Sequence, residues 1–525
     1  MAFTSYCLVC GGIGCEASSA DTIYQRICDG VDAAGILDDV QVVKTGCFGF
    51  CEQGPIVKVL PDESFYVQVS PDDAESIVTE HLVKGRAVDR LQYREKGSEA
   101  TPSKAISFYQ KQVRIVLRNC GFIDPEDIEE YIARSGYVGL EKALFAMTPD
   151  DIISELKASG LRGRGGGGFS TAKKWLFSKQ ASAHQKYIVC NADEGDPGAY
   201  MDRSVLEGDP YSILEAMVIA GYTVGADKGF VYVRAEYPLA IRRLQHAIGQ
   251  AVDRGLLGEN ILGSGFSFSV EIRLGAGAFV CGEETALLMS VEGKRGMPVQ
   301  RPPYPAVKGL WGKPTVINNV ETLANIPVIL TKGGKWFSKI GSETSRGTKV
   351  FALTGKINNS GLIEVPMGIT LRDIIFNIGG GIPNGKAFKA VQTGGPSGGM
   401  ITAEHLDTPI DYETLTELGS MMGSGGMIVM DEDDSMVDVA KFYLGFTVDE
   451  SCGKCVPCRI GGRKIWKLLD TFAAGNGTLE DLEQIERIGA WMKTSSLCGL
   501  GKTAPNPALS SIQHFRSEYL TEETV

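Results

Sequence analysis

At 525 residues the chain is too long for one hydrophobic core and is expected to divide into three or four domains. Its 43% hydrophobic and 22% charged residues are those of a globular protein, which excludes disorder over most of the length. A net charge of −12 with no basic run excludes nucleic acid as the expected partner. No stretch approaches the ~18 apolar residues that span a bilayer, and Met1–Gly12 lacks the basic start of a signal peptide. No membrane span and a cytoplasmic location are therefore expected.

The first 92 residues read as a small α/β unit, with short strands at Tyr6–Val9 and Val40–Val43 and a helix at Asp21–Gly30. The polar stretch Arg94–Pro102 carries Gly and Pro and reads as a linker, bounded at residues 93–104. Residues 105–345 alternate strands and helices. Strands are expected at Lys186–Cys190, Phe230–Arg234 and Phe268–Leu274, and helices near Tyr211–Val224 and Pro238–Arg254. That alternation predicts a parallel, doubly covered sheet, with ligands beyond the carboxyl ends of its strands. Residues 346–432 turn to short strands, Val350–Thr354, Gly361–Val365 and Ala390–Thr393, in a compact α+β module. From 433 to 525 apolar residues such as Val437, Phe442, Ile465 and Leu469 recur at helical spacing, which predicts a bundle.

Thirteen cysteines in a chain with no export signal point to metal ligands rather than to disulfides. Cys452, Cys455 and Cys458 stand at C-x2-C-x2-C spacing, with Cys498 forty residues further on. Three thiolates so spaced and a distant fourth suit a [4Fe–4S] cluster; four thiolates also suit zinc. Near the start, Cys10 and Cys15 with Cys47 and Cys51 supply four thiolates from two loops, enough for a [2Fe–2S] centre. Cys7 and Cys28 lie close enough in sequence to replace a ligand, and a fold retaining unligated cysteines is the alternative.

Gly163-Arg164-Gly165-Gly166-Gly167-Gly168-Phe169 contains GxGxxG, but the preceding segment, Asp151–Ser159, is helical in pattern, so the usual strand-first dinucleotide fingerprint fails. A flexible loop ahead of a helix start at Ser170-Thr171 still offers free N–H groups to an anion, with charge from Arg164 and Lys174. Asn191, Asp193, Glu194 and Asp196 close a strand and provide acceptors for sugar hydroxyls or ring N–H groups; a solvated acidic turn would look the same. Gly282-Glu283-Glu284-Thr285 and Asn318-Asn319-Val320-Glu321-Thr322 each read equally well as a capped helix N-terminus.

Taken together, six blocks in order resemble the family of FMN- and NADH-binding subunits of respiratory complex I, and still more its homologues in soluble NAD-linked hydrogenases and formate dehydrogenases. They are Leu161–Trp175, Asn191–Arg203, Ala278–Leu287, Gly312–Thr322, Glu450–Arg459 and Ser496–Gly501, within residues 105 to 510. The resemblance implies a multidomain α/β protein in four parts: a thioredoxin-like [2Fe–2S] domain, a Rossmann-like FMN/NADH domain, a ubiquitin-like β-grasp domain and a C-terminal helical bundle holding a [4Fe–4S] cluster.

It also implies roles for individual residues. FMN would lie on Gly163, Arg164, Gly165, Gly166 and Lys174. Asn191, Asp193 and Glu194 would hold its ring and ribityl chain, and Asn318, Asn319 and Thr322 would stand near its phosphate. Phe169 and Tyr304 would stack on NAD(H), with Gly282, Glu283 and Glu284 at its ribose, where the two carboxylates are expected to repel the 2′-phosphate of NADP(H). Asp196 and Tyr304 depart from the family's usual Glu and Phe, which leaves the nucleotide contacts of Asp196 open.

The expected activity is electron exchange between NADH and iron–sulfur clusters at FMN. Its expected partners are a separate thioredoxin-like [2Fe–2S] subunit and a hydrogenase- or dehydrogenase-type catalytic subunit, with ferredoxin and electron bifurcation as extensions. The alternatives are the diaphorase subunit of a formate dehydrogenase and a non-catalytic assembly subunit. Many hydrogenase-type relatives carry a further ferredoxin-like domain after the bundle; this chain ends at Val525 without one, so a ferredoxin branch would come from another subunit.

Overall fold

Alternating apolar residues build three separate sheets in the computed structural model, which describes residues 3–95 and 100–520. Part of the expected linker, residues 96–99, lies outside the described residues.

The first sheet joins β1 (Ser5–Cys10), β2 (Val40–Thr45), β3 (Val57–Leu60) and β4 (Ser64–Tyr66) in the order β2-β1-β3-β4. The first pair is parallel and the others antiparallel. Helix Ala20–Ala33 covers one face with Ile23, Ile27 and Val31, a stripe at helical spacing.

The second sheet is wholly parallel and contains β5 (Tyr187–Ala192), β6 (Lys228–Arg234), β7 (Ser269–Gly275) and β8 (Thr315–Asn319) in the order β7-β6-β5-β8. Helices Pro210–Val224 and Pro238–Asp253 connect its strands. Because β6 and β7 add on one side of β5 and β8 on the other, the strand order reverses between β5 and β8. A crevice opens at the carboxyl ends of strands at such a reversal, which is where parallel sheets take ligands. The sequence reading anticipated β5, β6 and β7 but took Asn318-Asn319 only as a helix start. Thr315–Asn319 is in fact the fourth strand, and Asn319 caps the helix Val320–Ala324 that follows it.

The third sheet orders β9 (Thr348–Gly355), β10 (Gly361–Pro366), β11 (Phe388–Thr393), β12 (Met400–Thr402) and β13 (Gly426–Asp431) as β10-β9-β13-β11-β12. The last strand is inserted at the centre, parallel to β9. Helices Met436–Asp449, Gly462–Ala473, Leu479–Ser495 and Asn506–His514 then form a bundle around Leu444, Ile465, Leu469, Ile485 and Ile512.

The parts share cores. Leu8, Phe48 and Phe50 of the first unit pack in one buried cluster with Phe351, Ile363 and Ile374 of the third. Phe50 stacks on Phe108 at 4.4 Å. The segment flanking the expected linker is held down as well, with the Ser103 N–H donating to the Glu63 carbonyl at 3.1 Å and Lys104 pairing with the Glu63 carboxylate. Among the described residues no helix is long and apolar enough to cross a membrane.

Candidate functional site

The crevice between β5 and β8 gathers most of the residues singled out from the sequence. Asn191 and Asn319 are register partners at the strand ends. The glycine-rich loop lies over them, entered from helix Pro149–Ser159 and leading to helix Thr171–Gln180. Its Arg164 N–H donates to Thr322 Oγ1 at 2.8 Å. At Gly165 a Cβ would approach Asn319 Cβ to 3.0 Å, and Gly166 takes a positive φ of 112° while bridging to Gly423. Side chains are therefore excluded where the loop must lie flat. The Gly163 N–H donates to the Phe169 carbonyl at 2.8 Å, which leaves the Phe169 ring half exposed at the loop's end.

Three expected ligands have hydrogen-bond partners within the protein. Arg164 is fully buried, and its guanidinium donates to the carbonyls of Arg162, Arg346 and Thr348, so it does not lend its charge to an anion in the loop. Both Glu194 oxygens accept backbone N–H groups, of Asp202 and Arg203, at 3.1 Å. Asn318 Oδ1 accepts the Trp175 indole N–H at 2.8 Å. In each case an unpartnered group would be costly to bury, and the neighbouring backbone or ring is the partner within reach.

Asp193 is different. It is 7% exposed, and neither carboxylate oxygen has a hydrogen-bond partner among the described residues. It lies beside Gly282, whose Cβ would meet the Asp193 carbonyl at 3.4 Å, and Asn191 Nδ2 donates to the Gly282 carbonyl at 2.9 Å. Burial pushes the Asp193 carboxyl up to about 7, against the opposing pull of Arg234. Burial likewise lifts Glu194 to about 7 and Asp196 to about 6, the latter while Ser424 donates to it. Asp202, which bonds Asn319 Nδ2, and Glu321, which pairs with the buried Lys349, are also raised by burial.

A raised folded-state pKa stabilises the fold below the unfolded value and is lost as pH rises through the folded one. For Asp193 that loss runs from about 4 to about 7 and amounts to ~4 kcal/mol. Flavin-free protein is therefore expected to melt at falling temperatures from about pH 4 to about pH 7, and Asp193→Asn to flatten part of that slope. A variant with the parent's slope in thermal melts would rule out Asp193 as a source.

On the other side of the crevice Glu283 caps helix Glu284–Val291, accepting the N–H groups of Thr285 and Ala286 at 3.0 and 2.9 Å. The capped-helix reading of this motif is thus correct. Glu284 pairs with Lys174 at 3.2 Å and with Arg301 at 2.7 Å, and Arg301 also reaches Glu283 at 3.7 Å. Two cations thus offset two carboxylates, and the net repulsion expected of Glu283 and Glu284 toward a 2′-phosphate does not follow from this geometry. Tyr304, more than half exposed, holds the Arg301 guanidinium 5.9 Å from its ring centroid.

Sequence reasoning missed the wall that the third sheet contributes. The Tyr412 hydroxyl donates to the Gly163 carbonyl at 2.7 Å, Gly395 abuts Asp196, and Gly423 meets Gly166. The glycine runs at 394–399 and 423–426 were the available signal.

Two cavities are each lined by four cysteines. One is bounded by Cys452, Cys455, Cys458 and Cys498 together with Val280, Pro298 and Leu500. The other is bounded by Cys10, Cys15, Cys47 and Cys51 together with Gly12, Gly14 and Phe50. Cys7 is instead packed among Val9, Ile23 and Val57, and Cys28 is half buried on helix Ala20–Ala33, and neither lines either of these two cavities. Among the described residues no three His, Cys, Asp or Glu side chains converge on a single-ion position. Four cysteines around one cavity supply a ligand set that suits an iron–sulfur cluster and also one zinc ion.

The C-terminal cavity adjoins the crevice. Val280 lines it two residues before Gly282, the Phe279 N–H donates to Glu450 at 2.8 Å, and Lys454 donates to the Pro298 carbonyl at 2.7 Å.

Comparison with known proteins agrees with this geometry. Residues 156–328 match the family model described as the Nuo51 FMN-binding domain, and residues 438–522 match the NADH-ubiquinone oxidoreductase-F iron-sulfur binding region. The NADP-reducing hydrogenase subunit HndC of Solidesulfovibrio fructosivorans is 62% identical over 410 residues, 78% of this chain and 83% of that protein. An F-type NADH-quinone oxidoreductase protein of Rhizobium meliloti (strain 1021) is 45% identical over 406 residues, 77% of this chain and 96% of that protein. The crystal structure of an NAD+-reducing [NiFe]-hydrogenase in the H2-reduced state superposes with a TM-score of 0.69 at 29% identity, covering 99% of this chain and 84% of that one.

Proposed function

Because the chain belongs to the family of FMN- and NADH-binding iron–sulfur subunits of NADH-quinone oxidoreductases and hydrogenases, we propose that it is the nucleotide-oxidising flavin subunit of a multisubunit hydrogenase-type complex. As an oxidoreductase of this family it works with FMN, NAD(H) and a [4Fe–4S] cluster. Bound FMN supplies exchange between the electron pair of a hydride and the single electrons a cluster accepts.

One observation carries the reading: a single turn, Phe279–Gly282, borders both Asp193 in the crevice and the four-cysteine cavity. The residues fit the groups. Asp193, a buried acceptor without a donor, suits a ring N–H. Gly165 and Gly166 keep the floor flat for a planar ring, and Lys174, close to Glu284, brings positive charge for a phosphate. Phe169 and Tyr304, exposed at the mouth, are placed to stack on the nucleotide, and Glu283 and Glu284 to meet its ribose hydroxyls. Orientation by such contacts accelerates hydride transfer without an acid or base. Cys452, Cys455, Cys458 and Cys498 would hold the [4Fe–4S] cluster, and Cys10, Cys15, Cys47 and Cys51 a [2Fe–2S] cluster.

Strand order supports the domain reading. The mixed first sheet supports a thioredoxin-like unit over 1–92. The third sheet, with its last strand central, supports a β-grasp unit over 346–432. In this reading the nucleotide domain of 105–345 lies between them in sequence and the helical bundle of 433–525 follows. The partners proposed are a separate [2Fe–2S] subunit and a hydrogenase-type catalytic subunit, with ferredoxin as the acceptor if the complex bifurcates.

The test is spectroscopic. Protein purified without air is expected to show a flavin absorbance band that NADH bleaches, together with iron and acid-labile sulfide. Running NADPH in parallel reads the nucleotide preference that Arg301 and Lys174 leave balanced. Colourless protein, silent by electron paramagnetic resonance after dithionite, would overturn the proposal; zinc in place of iron would point to a binding module.

A further inference from the structure

The crevice segment and the N-terminal cavity are connected by a contact that the cysteine motif does not contain. Tyr200 stands at the end of the segment that begins with Asn191 and Asp193, as the residue before helix Met201–Gly208. Its hydroxyl lies 3.3 Å from Cys51 Sγ, in the N-terminal cavity. The segment between is tied down from both ends. The Ala199 N–H donates to the Asp196 carbonyl at 3.0 Å, and the Glu194 carboxylate accepts the N–H groups of Asp202 and Arg203 just beyond Tyr200.

The loop bearing Cys47 and Cys51 is equally fixed. A Cβ on Gly46 would sit 2.5 Å from Gly208 Cα, and the Leu362 N–H donates to the Gly49 carbonyl at 2.8 Å. A hydroxyl and a sulfur held this way from opposite sides keep their separation.

We infer that Tyr200 is a positioning residue of the [2Fe–2S] site, donating its hydroxyl proton to Cys51 Sγ and so raising the reduction potential of that cluster. The inference rests on reading Cys10, Cys15, Cys47 and Cys51 as the ligands. A cysteine bound to iron is a thiolate without a proton, so the tyrosine is the donor in this contact. Hydrogen bonds to cluster sulfurs favour the reduced, more negative state. A charge-assisted bond is worth roughly twice a neutral one, and the extra electron strengthens it further. The consequence is specific to this chain's architecture: the segment that carries Asp193 in the crevice also sets how readily the N-terminal cluster accepts an electron.

The experiment is a redox titration of the full-length protein followed by electron paramagnetic resonance, comparing the parent with Tyr200→Phe and Tyr109→Phe. Tyr109 is the control, because its hydroxyl donates to the Phe48 carbonyl in the same ligand loop at 3.2 Å and not to a sulfur. Tyr200→Phe is expected to lower the reduced-to-oxidised ratio of the [2Fe–2S] centre about tenfold at a fixed potential, ~59 mV for a one-electron couple. Tyr109→Phe should leave it in place. If Tyr200→Phe loads too little iron to titrate, 3-fluorotyrosine at position 200 keeps the shape and is a stronger donor, and the midpoint should rise.

A [2Fe–2S] signal of normal intensity whose midpoint does not move in these variants, or moves equally in Tyr109→Phe, overturns the inference alone. A parent protein with no [2Fe–2S] signal overturns the ligand assignment, and the inference with it.

Discussion

Cys455→Ser is expected to abolish the [4Fe–4S] signal and to cut NADH-driven electron delivery to a partner subunit by more than ~100-fold, since even outer-shell losses at metal sites cost roughly 10–100-fold. The four proposed ligands come from two places. Cys452, Cys455 and Cys458 follow helix Met436–Asp449, and Cys498 precedes the short helix Gly499–Thr503. Apolar Val280, Leu497 and Leu500 fill the wall between them. Because that wall is held by contacts of its own, including Phe279 on Phe446 at 5.3 Å and Lys454 on the Pro298 carbonyl, the crevice should survive loss of the cluster. Flavin content and the bleaching of flavin by NADH are therefore expected at parent levels. Their loss together with the cluster would show that the two sites fold as one. Undiminished delivery to the partner would remove the C-terminal cysteines from the electron path.

Lys349→Met is expected to lower stability by about 3–5 kcal/mol, the usual effect of removing one partner from a buried ion pair. Lys349 is fully buried and donates to Glu321 as well as to the Val350 and Ser424 carbonyls. Glu321 in turn accepts the Val350 N–H at 2.8 Å and sits in the first turn of the helix that Asn319 caps. Without the ammonium, Glu321 would remain charged at its burial depth or take up a proton, and Asp202 close by would lose the same cation. A melting temperature lower by roughly 10 °C and weaker flavin retention should follow. Adding Glu321→Gln to Lys349→Met should recover part of the loss, since the pair rather than either residue holds the value. An unchanged melting temperature in the single variant would show that water reaches this carboxylate.

The cysteine sites were legible in the sequence because a cluster ligand must be a particular side chain at a spacing that one short loop can satisfy; the structure places each expected set of four around a cavity. The parallel sheet was legible for a similar local reason, since runs such as Tyr187–Ala192 and Lys228–Arg234 are apolar enough to be buried on both faces. Thr315–Asn319 escaped because its polar ends, Thr315 and the paired asparagines, look like a cap, and only pairing with a strand more than a hundred residues earlier reveals it. The partners of Arg164 and Glu194 were hidden for a related reason. Their charge suggested a ligand, whereas distant carbonyls and N–H groups at 346, 348, 202 and 203 had already claimed them. Tyr412 and Ser424 carry no motif at all, and reach the crevice only because the third sheet folds back onto the glycine loop.

The buried cluster that joins Leu8, Phe48 and Phe50 to Phe351, Ile363 and Val429 bears on the order in which the chain can be finished on a ribosome. The first strands emerge some three hundred residues before the surface that covers them, a wait of roughly 15–60 s at ordinary translation speeds. Throughout that interval the loop from Cys47 to Cys51 lacks the Gly361 and Leu362 backbone that later closes over it. The nascent protein thus passes through a stage in which its earliest cysteines are uncovered on that side, and completing the third sheet closes it.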